Sequence, residues 1–553
     1  MNITQSPSWK MLEKHANILK GTKIKDMVED EKRLDALSLH FDQLFCDFSK
    51  QKVQQETIEL LLKLAEQNGL KHAIEKLLLG EVVNPTEDRP ALHTALRLPK
   101  DGALLLNGRD INIDVQNALD SMSDKIDKLT NGYWRGFSGK PITDVVNLGV
   151  GGSDLGPLLA CDALAEFSAE YQNPLEVHFA STMDGSQVHN LFEKLNPETT
   201  VFIIASKSFS TIDTLSNATS AKSWLLQAFD NEEIINKQHF IGISTKPEKM
   251  NEWGIHPDNQ LIMWDWVGGR FSLWSTVGLT IALKLGMQNF REFLAGAHAL
   301  DKHFKSAPFD QNIPVLLGII GIWNTNFIGI NAHAILPYDA RLKYFPSYLT
   351  QLEMESNGKS VTVNGDRVDY DTCPVLWGEV GPNAQHAFYQ LLHQGTRRVV
   401  CDFIAPVSRF TGDESPQGKS LREQHLLTIA NCFAQSRALM TGGSSSLDPN
   451  SSNQAPELIP HKFYPGDQPS TTILVPELTP YSLGQLIALY EHKVFVMAHI
   501  WGINPFDQWG VELGKIMAED TLSELHSGEF TSQFDRSTNQ LLNYVKKQVT
   551  SNE

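Results

Sequence analysis

Between Val145 and Phe271 five short, mostly apolar runs recur, each followed by a polar or glycine-rich turn and then by helical spacing. They read VVNLG, LEVHFA, TVFIIA, HFIGIS and QLIMW. Apolar strands alternating with helices predict a parallel sheet covered on both faces. The pattern returns further on: a long helix near 311–328, then strand-like AHAILPY, PVLWGEVGP and RRVVCDFIAP. That predicts a second α/β sheet and hence a second domain. Length agrees, since 553 residues are too many for one core.

The flanks read differently. Residues 1 to about 80 are expected to be helical throughout, with apolar residues three and four apart in MVEDEKRLDALSLHF and ETIELLLKLAEQNGLKHAIEKLLLG and with Gly69 and Gly80 as stops. Residues 84–100 begin as a proline-marked turn and continue as a short helix; helical spacing resumes from Val115 to Leu129. Thr441 to Asn453 reads as a loop, Pro465 to Thr472 as a turn, and Leu483 to Ile500 as a helix. After Lys515 the chain is polar and helical, an arm expected to pack against something.

A net charge of −18 argues against nucleic acid and anionic membrane surfaces as partners. An anionic substrate would then need a local cluster of positive charge. Cys46, Cys161, Cys373, Cys401 and Cys432 are scattered, odd in number and without C-x-x-C spacing, which suits reduced thiols in a cytoplasmic protein. No apolar stretch of signal-peptide length opens the chain, and the longest apolar run, Pro314 to Trp323, is too short to span a bilayer.

Thr200 to Thr214, TVFIIASKSFSTIDT, is the segment with the clearest chemistry. A buried strand, Val201 to Ala205, ends in Ser206, Lys207, Ser208, Ser210, Thr211 and Thr214, after which helical spacing begins. First-turn N–H groups and a dipole equivalent to roughly half a positive charge favour an anion there. A single serine would only cap a helix; six donors in nine residues predict a phosphate cup.

Other segments add candidates. LGVGGSDLGP has Gly149 and Gly151 but Asp154 where a dinucleotide fingerprint needs its third glycine. It reads instead as a turn bringing backbone close to a small polar ligand, with Gly152 and Ser153 as contacts, or as a structural turn. Arg270, after two glycines in WDWVGGRFSLWS, is either a surface ion pair or a stabiliser of negative charge on substrate oxygen. Glu353 and Glu355 lie in YLTQLEMESNGKS, where a carboxylate at a helix end amid apolar neighbours can serve as a base. GPNAQHAFYQLLHQGT is expected to open a helix on Gln385 and His386, and a histidine there could shuttle protons. His386 and His393 share a face, yet no third metal ligand of suitable spacing accompanies them, and H-E-x-x-H, cysteine-rich and Asp-x-Asp patterns are missing from the sequence; neither metal nor cofactor is expected. Lys515, in WGVELGKIMAE, reads by itself as a surface lysine.

Taken together these segments closely resemble the glucose-6-phosphate isomerase family over nearly the whole chain. DWVGGRFSLWSTVG (Asp265 to Gly278) and FDQWGVELGK (Phe506 to Lys515) carry its two long signatures; NPTEDRPALHTALR, GVGGSDLGP, ASKSFST, MESNGK and GEVGPNAQHAFYQLLHQGT stand in the family's order. The resemblance implies two sugar-isomerase-type α/β/α sandwich domains with mainly parallel central sheets. Residues 1–120 would be an N-terminal helical part of the large domain, 121–286 the small domain with the cup, 287–510 the large domain and 511–553 a C-terminal helical arm of a homodimer. It implies reversible isomerisation of D-glucose 6-phosphate and D-fructose 6-phosphate, in glycolysis and gluconeogenesis, by ring opening and proton transfer through a cis-enediol(ate).

Carried over by position, Ser206, Lys207, Ser208 and Thr211 resemble the 6-phosphate cup, Glu355 the base acting between C2 and C1, and Arg270 the holder of the enediol(ate) oxygens. His386 resembles the ring-opening histidine donated by the other subunit, and Lys515 its partner; Gly152, Ser153, Gln351 and Gln508 match positions lining the sugar. One position departs: the family's T-x-E-T is T-I-D-T here, so Asp213 is expected to reach His386 less well and to modify ring opening. A non-catalytic sugar-phosphate sensor is the alternative, and it should have lost Glu355 or His386; a broader sugar range, mannose 6-phosphate included, stays open.

Overall fold

The computed structural model describes residues 3–444, 456–527 and 530–552. By packing, the chain divides into two units, Met1–Phe506 and Asp507–Glu553. The first holds two large sheets. Their strands in chain order are β1 (Ser38–Phe41), β2 (Leu44–Asp47), β3 (Asp144–Leu148), β4 (Glu176–Ala180), β5 (Thr200–Ala205), β6 (Phe240–Ser244), β7 (Gln260–Ile262), β8 (Ala332–Pro337), β9 (Val375–Gly378), β10 (Val400–Pro406) and β11 (Ser470–Val475).

All five runs between Val145 and Phe271 become strands of one sheet, ordered β4-β3-β5-β6-β7 and parallel at every pairing. All six residues of β5 are buried, as a central parallel strand with helices on both faces requires. The second sheet runs β1-β2-β11-β10-β8-β9. β9, β8, β10 and β11 are parallel, and the β1–β2 hairpin adds to β11 antiparallel. The α/β class with mainly parallel sheets is therefore as expected.

Two expectations are corrected. The first 80 residues are not helical throughout: the helix from Glu31 stops at Leu37 and β1 and β2 follow. Leu37, Leu39 and Phe41, then Leu44, Cys46 and Phe48, alternate at period two, and Asp42 takes the left-handed φ of 52° that the hairpin turn demands. Pairing with β11 settles the choice. β11 itself was hidden in the expected turn at 465–472: Ser470, Thr471 and Thr472 are buried and lie in the ladder, and the Thr471 hydroxyl accepts from Gln51 Nε2 at 2.9 Å. Residues 445–453 of the loop expected at 441–453 lie outside the described residues.

The helix Pro480–Trp501 runs through the core with every residue buried except Tyr481 and His499. Among the described residues no helix is long and apolar enough to cross a membrane. The second unit consists of the helices Glu512–His526 and Arg536–Asn552, joined by Lys546 Nζ to Glu524 Oε1 at 2.9 Å.

Candidate active site

The C-terminal end of β5 builds the cup. Ser206 N donates to Ile243 O (3.0 Å) on β6, and the Lys207 carbonyl accepts from Ser244 Oγ (2.8 Å) and from Thr245 N (3.1 Å). The first two residues beyond the strand thus stay clamped to the sheet. The chain then reverses at Phe209, whose φ of 47° is left-handed and disfavoured, by about 1–2 kcal/mol, for a residue with a side chain. Burial of its ring in the underlying core offsets that cost.

Thr211 is the N-cap residue of the helix Ile212–Ala228, but its hydroxyl makes no cap bond and pairs with Ser206 Oγ at 3.0 Å. The helix therefore begins with first-turn N–H groups that no side chain caps. Ser210 Oγ bonds the exposed Ser208 Oγ at 2.8 Å, and Thr214 Oγ1 is buried with no hydrogen-bond partner among the described residues. A loop of hydroxyls and unfilled donors at a helix N-terminus suits an anion. Lys207 does not reach freely over it: Nζ donates to Asp265 O and Val267 O, both at 2.8 Å. Burial, then the nearby positive charge of Arg89, pulls the ammonium pKa down to about 8.

Those carbonyls belong to the segment that delivers Arg270. A Cβ on Gly152 would stand 2.0 Å from Gly269 O and 2.6 Å from Arg270 N, so only glycine lets the turn after β3 lie backbone to backbone on the Arg270 turn. Ser153, whose carbonyl accepts from Asn147 Nδ2 at 3.1 Å, follows at the same edge. Gly151, with φ 58°, comes close enough to the Gln351 amide that a Cβ would lie 2.9 Å from Nε2.

Arg270 is buried, and its guanidinium reaches Ser356 Oγ through Nε (2.7 Å), Pro505 O through Nη2 (2.6 Å) and Glu355 Oε1 through Nη1 (3.1 Å). Tyr348 OH adds a bond to the Arg270 carbonyl at 3.3 Å. Ser356, Glu355, Gln351 and Tyr348 all lie on the helix Phe345–Asn357. Gln351 Nε2 donates to Glu355 Oε2 at 2.9 Å, as the i,i+4 spacing permits, while its own Oε1 is buried and unpaired among the described residues. Glu355 is thus not the carboxylate amid apolar side chains that its neighbours in sequence suggest. It sits between a buried cation and an amide, with its side chain 24 % exposed.

Gly152, Ser153, Ser206, Lys207, Ser208, Thr211, Arg270, Gln351 and Glu355 thus belong to one linked set of turns at the strand ends of the parallel sheet and on the helix beside it. Asp213 is half-buried in the first turn of the cup helix. His386 stands elsewhere. It is exposed in the last turn of the helix Gly381–Ala387, after β9, and not at a helix start as expected, so the N-terminal dipole does not act on it. Lys515, in the second unit, is exposed and pairs with Glu512 at 2.8 Å; Gln508 precedes it in that unit.

The sequence profile described as phosphoglucose isomerase matches residues 47–542. The chain belongs to the phosphoglucose isomerase family. Among its relatives in that family, a glucose-6-phosphate isomerase of Psychrobacter cryohalolentis is 56 % identical over 94 % of this chain and 93 % of its own. Another, of Hydrogenovibrio crunogenus, is 53 % identical over 99 % and 100 %. The crystal structure of a glucose-6-phosphate isomerase from Chlamydia trachomatis superposes with a TM-score of 0.83 at 28 % identity, covering 99 % of this chain and 100 % of that one.

In this phosphoglucose isomerase family member, sequence reasoning overlooked two contributors to the site. Ser356 receives Arg270 Nε, and Arg89 sits close enough to Lys207 to depress its pKa. Ser356 was signalled only by standing next to Glu355. Arg89 was signalled only by NPTEDR being a motif of the family.

Proposed function

We propose that this chain interconverts D-glucose 6-phosphate and D-fructose 6-phosphate, with Ser206, Lys207, Ser208 and Thr211 holding the phosphate and Glu355 carrying a proton between C1 and C2. The observation that carries the reading is the buried Arg270 guanidinium 3.1 Å from Glu355 Oε1, next to the hydroxyl loop. A base and a cation in register are what proton transfer through an enediolate needs: the carboxylate takes the proton while the cation meets the oxygen on which charge develops. Phosphate held away from the reacting carbons supplies orientation. Gly152, Ser153, Gln351 and Gln508 are the remaining sugar-lining positions of this reading. A sensor without chemistry has no use for this pair.

Ring opening falls to His386 and Lys515. The exposed position of His386 supports its donation to a second copy of the chain in a cytoplasmic homodimer, with Asp213 orienting it less closely than a glutamate would. Residues 121–286 and 287–510 are the small and large domains of this reading, 1–120 joins the large one, and 511–553 is the arm.

A coupled assay decides the main point. The parent protein should convert fructose 6-phosphate with a kcat in the range of ordinary enzymes, 1–10³ per second in order of magnitude. It should turn over unphosphorylated fructose at least ~10³-fold less efficiently. A parent without fructose 6-phosphate turnover ends the reading. In the same assay, unchanged kinetics of Asp213→Glu on the cyclic sugar would remove the role given to Asp213.

Lys207 adds a pH signature. Its ammonium is present below about 8 and lost above, so KM for the sugar phosphate should rise as pH passes 8, and phosphate binding near that pH should take up protons. Stability should move the opposite way. Between about 8 and the ordinary lysine value the unfolded chain keeps a proton that the native chain has lost, so this group makes stability rise with pH. Lys207→Met should abolish both trends; a KM flat from pH 7 to 9 in the parent would refute the assignment.

A further inference from the structure

The buried helix Pro480–Trp501 carries Glu491, His492 and Lys493 in succession, none more than 1 % exposed. Charged side chains at that depth must be paired. Each is: Lys493 toward the helix that carries Glu355, and Glu491 and His492 toward one cluster around Arg97 and Asp301.

Lys493 Nζ bonds Glu353 Oε2 at 2.6 Å. Glu353 precedes Glu355 by two residues, about 200° around the same helix. The ion pair therefore holds the back of that helix while Glu355 faces Arg270. Lys493 Nζ also lies 3.4 Å from His333 Nδ1 on β8. His333 Nε2 is 2.9 Å from Asp402 Oδ2 on β10, which accepts Tyr490 OH at 2.8 Å. The grip on the Glu355 helix is thus referred to the central strands of the sheet.

Glu491 holds the other partner. Its Oε1 accepts from Trp274 Nε1 at 2.8 Å, and its Oε2 from Arg97 Nη1 at 2.6 Å. Trp274 closes the turn Gly269–Trp274 that begins beside Arg270. The Arg97 guanidinium lies 4.9 Å from the centre of the Trp274 ring and forks onto Asp301 through Nε (2.7 Å) and Nη2 (2.6 Å). Asp301 Oδ1 also meets His492 Nε2 at 2.7 Å.

We infer that Glu491 and Lys493 are positioning residues for the reaction: two side chains on nearly opposite sides of one buried helix separately fix the turn that carries Arg270 and the helix that carries Glu355, and so set the register of base and cation. The inference rests on the isomerase reading above. Stability alone is a weak reason for these charges, because well-packed apolar side chains replace buried ion pairs with little loss or even a gain. A hydrogen bond fixes direction and distance where an apolar contact lets elements slide, and a misplacement of about 1 Å can cost a reaction roughly 10²-fold.

Glu353→Gln and Trp274→Phe test the two arms, each removing one link without altering a residue that faces substrate. Both are assayed on fructose 6-phosphate beside the parent, with kcat expressed per folded molecule from thermal melting and circular dichroism. Each should lower kcat by about tenfold to 10²-fold while KM stays within about threefold, since Ser206 and Lys207, where the cup starts, are clamped at the end of β6 and not by this helix. Glu353→Gln combined with Lys493→Gln, a neutral pair able to restore one hydrogen bond, should recover part of the lost kcat. A purely structural role would lower the melting temperature and leave kcat per folded molecule unchanged. Should Glu353→Gln not fold, Trp274→Phe decides alone. An active parent with both folded variants within twofold of its kcat overturns the positioning role only; an inactive parent overturns the isomerase reading beneath it.

Discussion

Glu355→Gln should lower kcat for fructose 6-phosphate by about 10³-fold, within the range usual for removing a positioned general base. The substitution preserves length and planarity. The bond from Gln351 Nε2, 2.9 Å to the carboxylate oxygen, can still be accepted by an amide oxygen. What disappears is the ability to take a proton, together with the charge facing Arg270 Nη1. The cup is built on other elements, so KM should change by less than about fivefold. That split identifies a group acting on the reacting carbons and not one that merely binds. Steady-state kinetics on purified protein give the answer, and a variant within tenfold of the parent kcat would deny Glu355 its role.

Arg270 variants should show the second-largest effect and separate charge from geometry. Arg270→Lys keeps a positive charge, yet one ammonium cannot reach Ser356 Oγ, Pro505 O and Glu355 Oε1 together, as the planar guanidinium does. A kcat lower by about 10²-fold is expected, the loss typical when one preorganised donor to a developing oxyanion is removed. Arg270→Met should do at least as badly and should also destabilise the fold. It strips a donor from two buried acceptors, each deprived acceptor costing about 1–3 kcal/mol. Melting temperatures and kcat of the two variants, measured side by side, check this. If Arg270→Lys retained full kcat, the directional argument would fail.

Glu353 and Glu355 show how far the site could be read from the chain. In sequence they are equivalent acids among apolar neighbours. Two residues of separation turn them to nearly opposite sides of one helix, one onto Lys493 and the other onto Arg270. The resemblance singled out Glu355. The residues alone could not, because which side of that helix meets a cation depends on segments 86 residues earlier and 140 later. His386 illustrates the same limit, since its helix was foreseen but its place at the far end of that helix was not.

Local order was determined by the chain itself. The five runs from Val145 form a parallel sheet and the hydroxyl-rich turn after Ala205 lies at a helix start, because strand and helix periodicity and helix-start chemistry are set by residues within one or two turns. Tertiary structure decided the rest. It made strands of Ser38–Asp47 and Ser470–Val475 by giving each the other's unpaired edge. It laid Gly152 on Gly269, and it turned Arg270 from a candidate surface ion pair into a buried cation bonded to Ser356, Pro505 and Glu355. Hydrogen-bond partners for a strand edge or a buried charge are supplied from distant chain, and no local pattern specifies them.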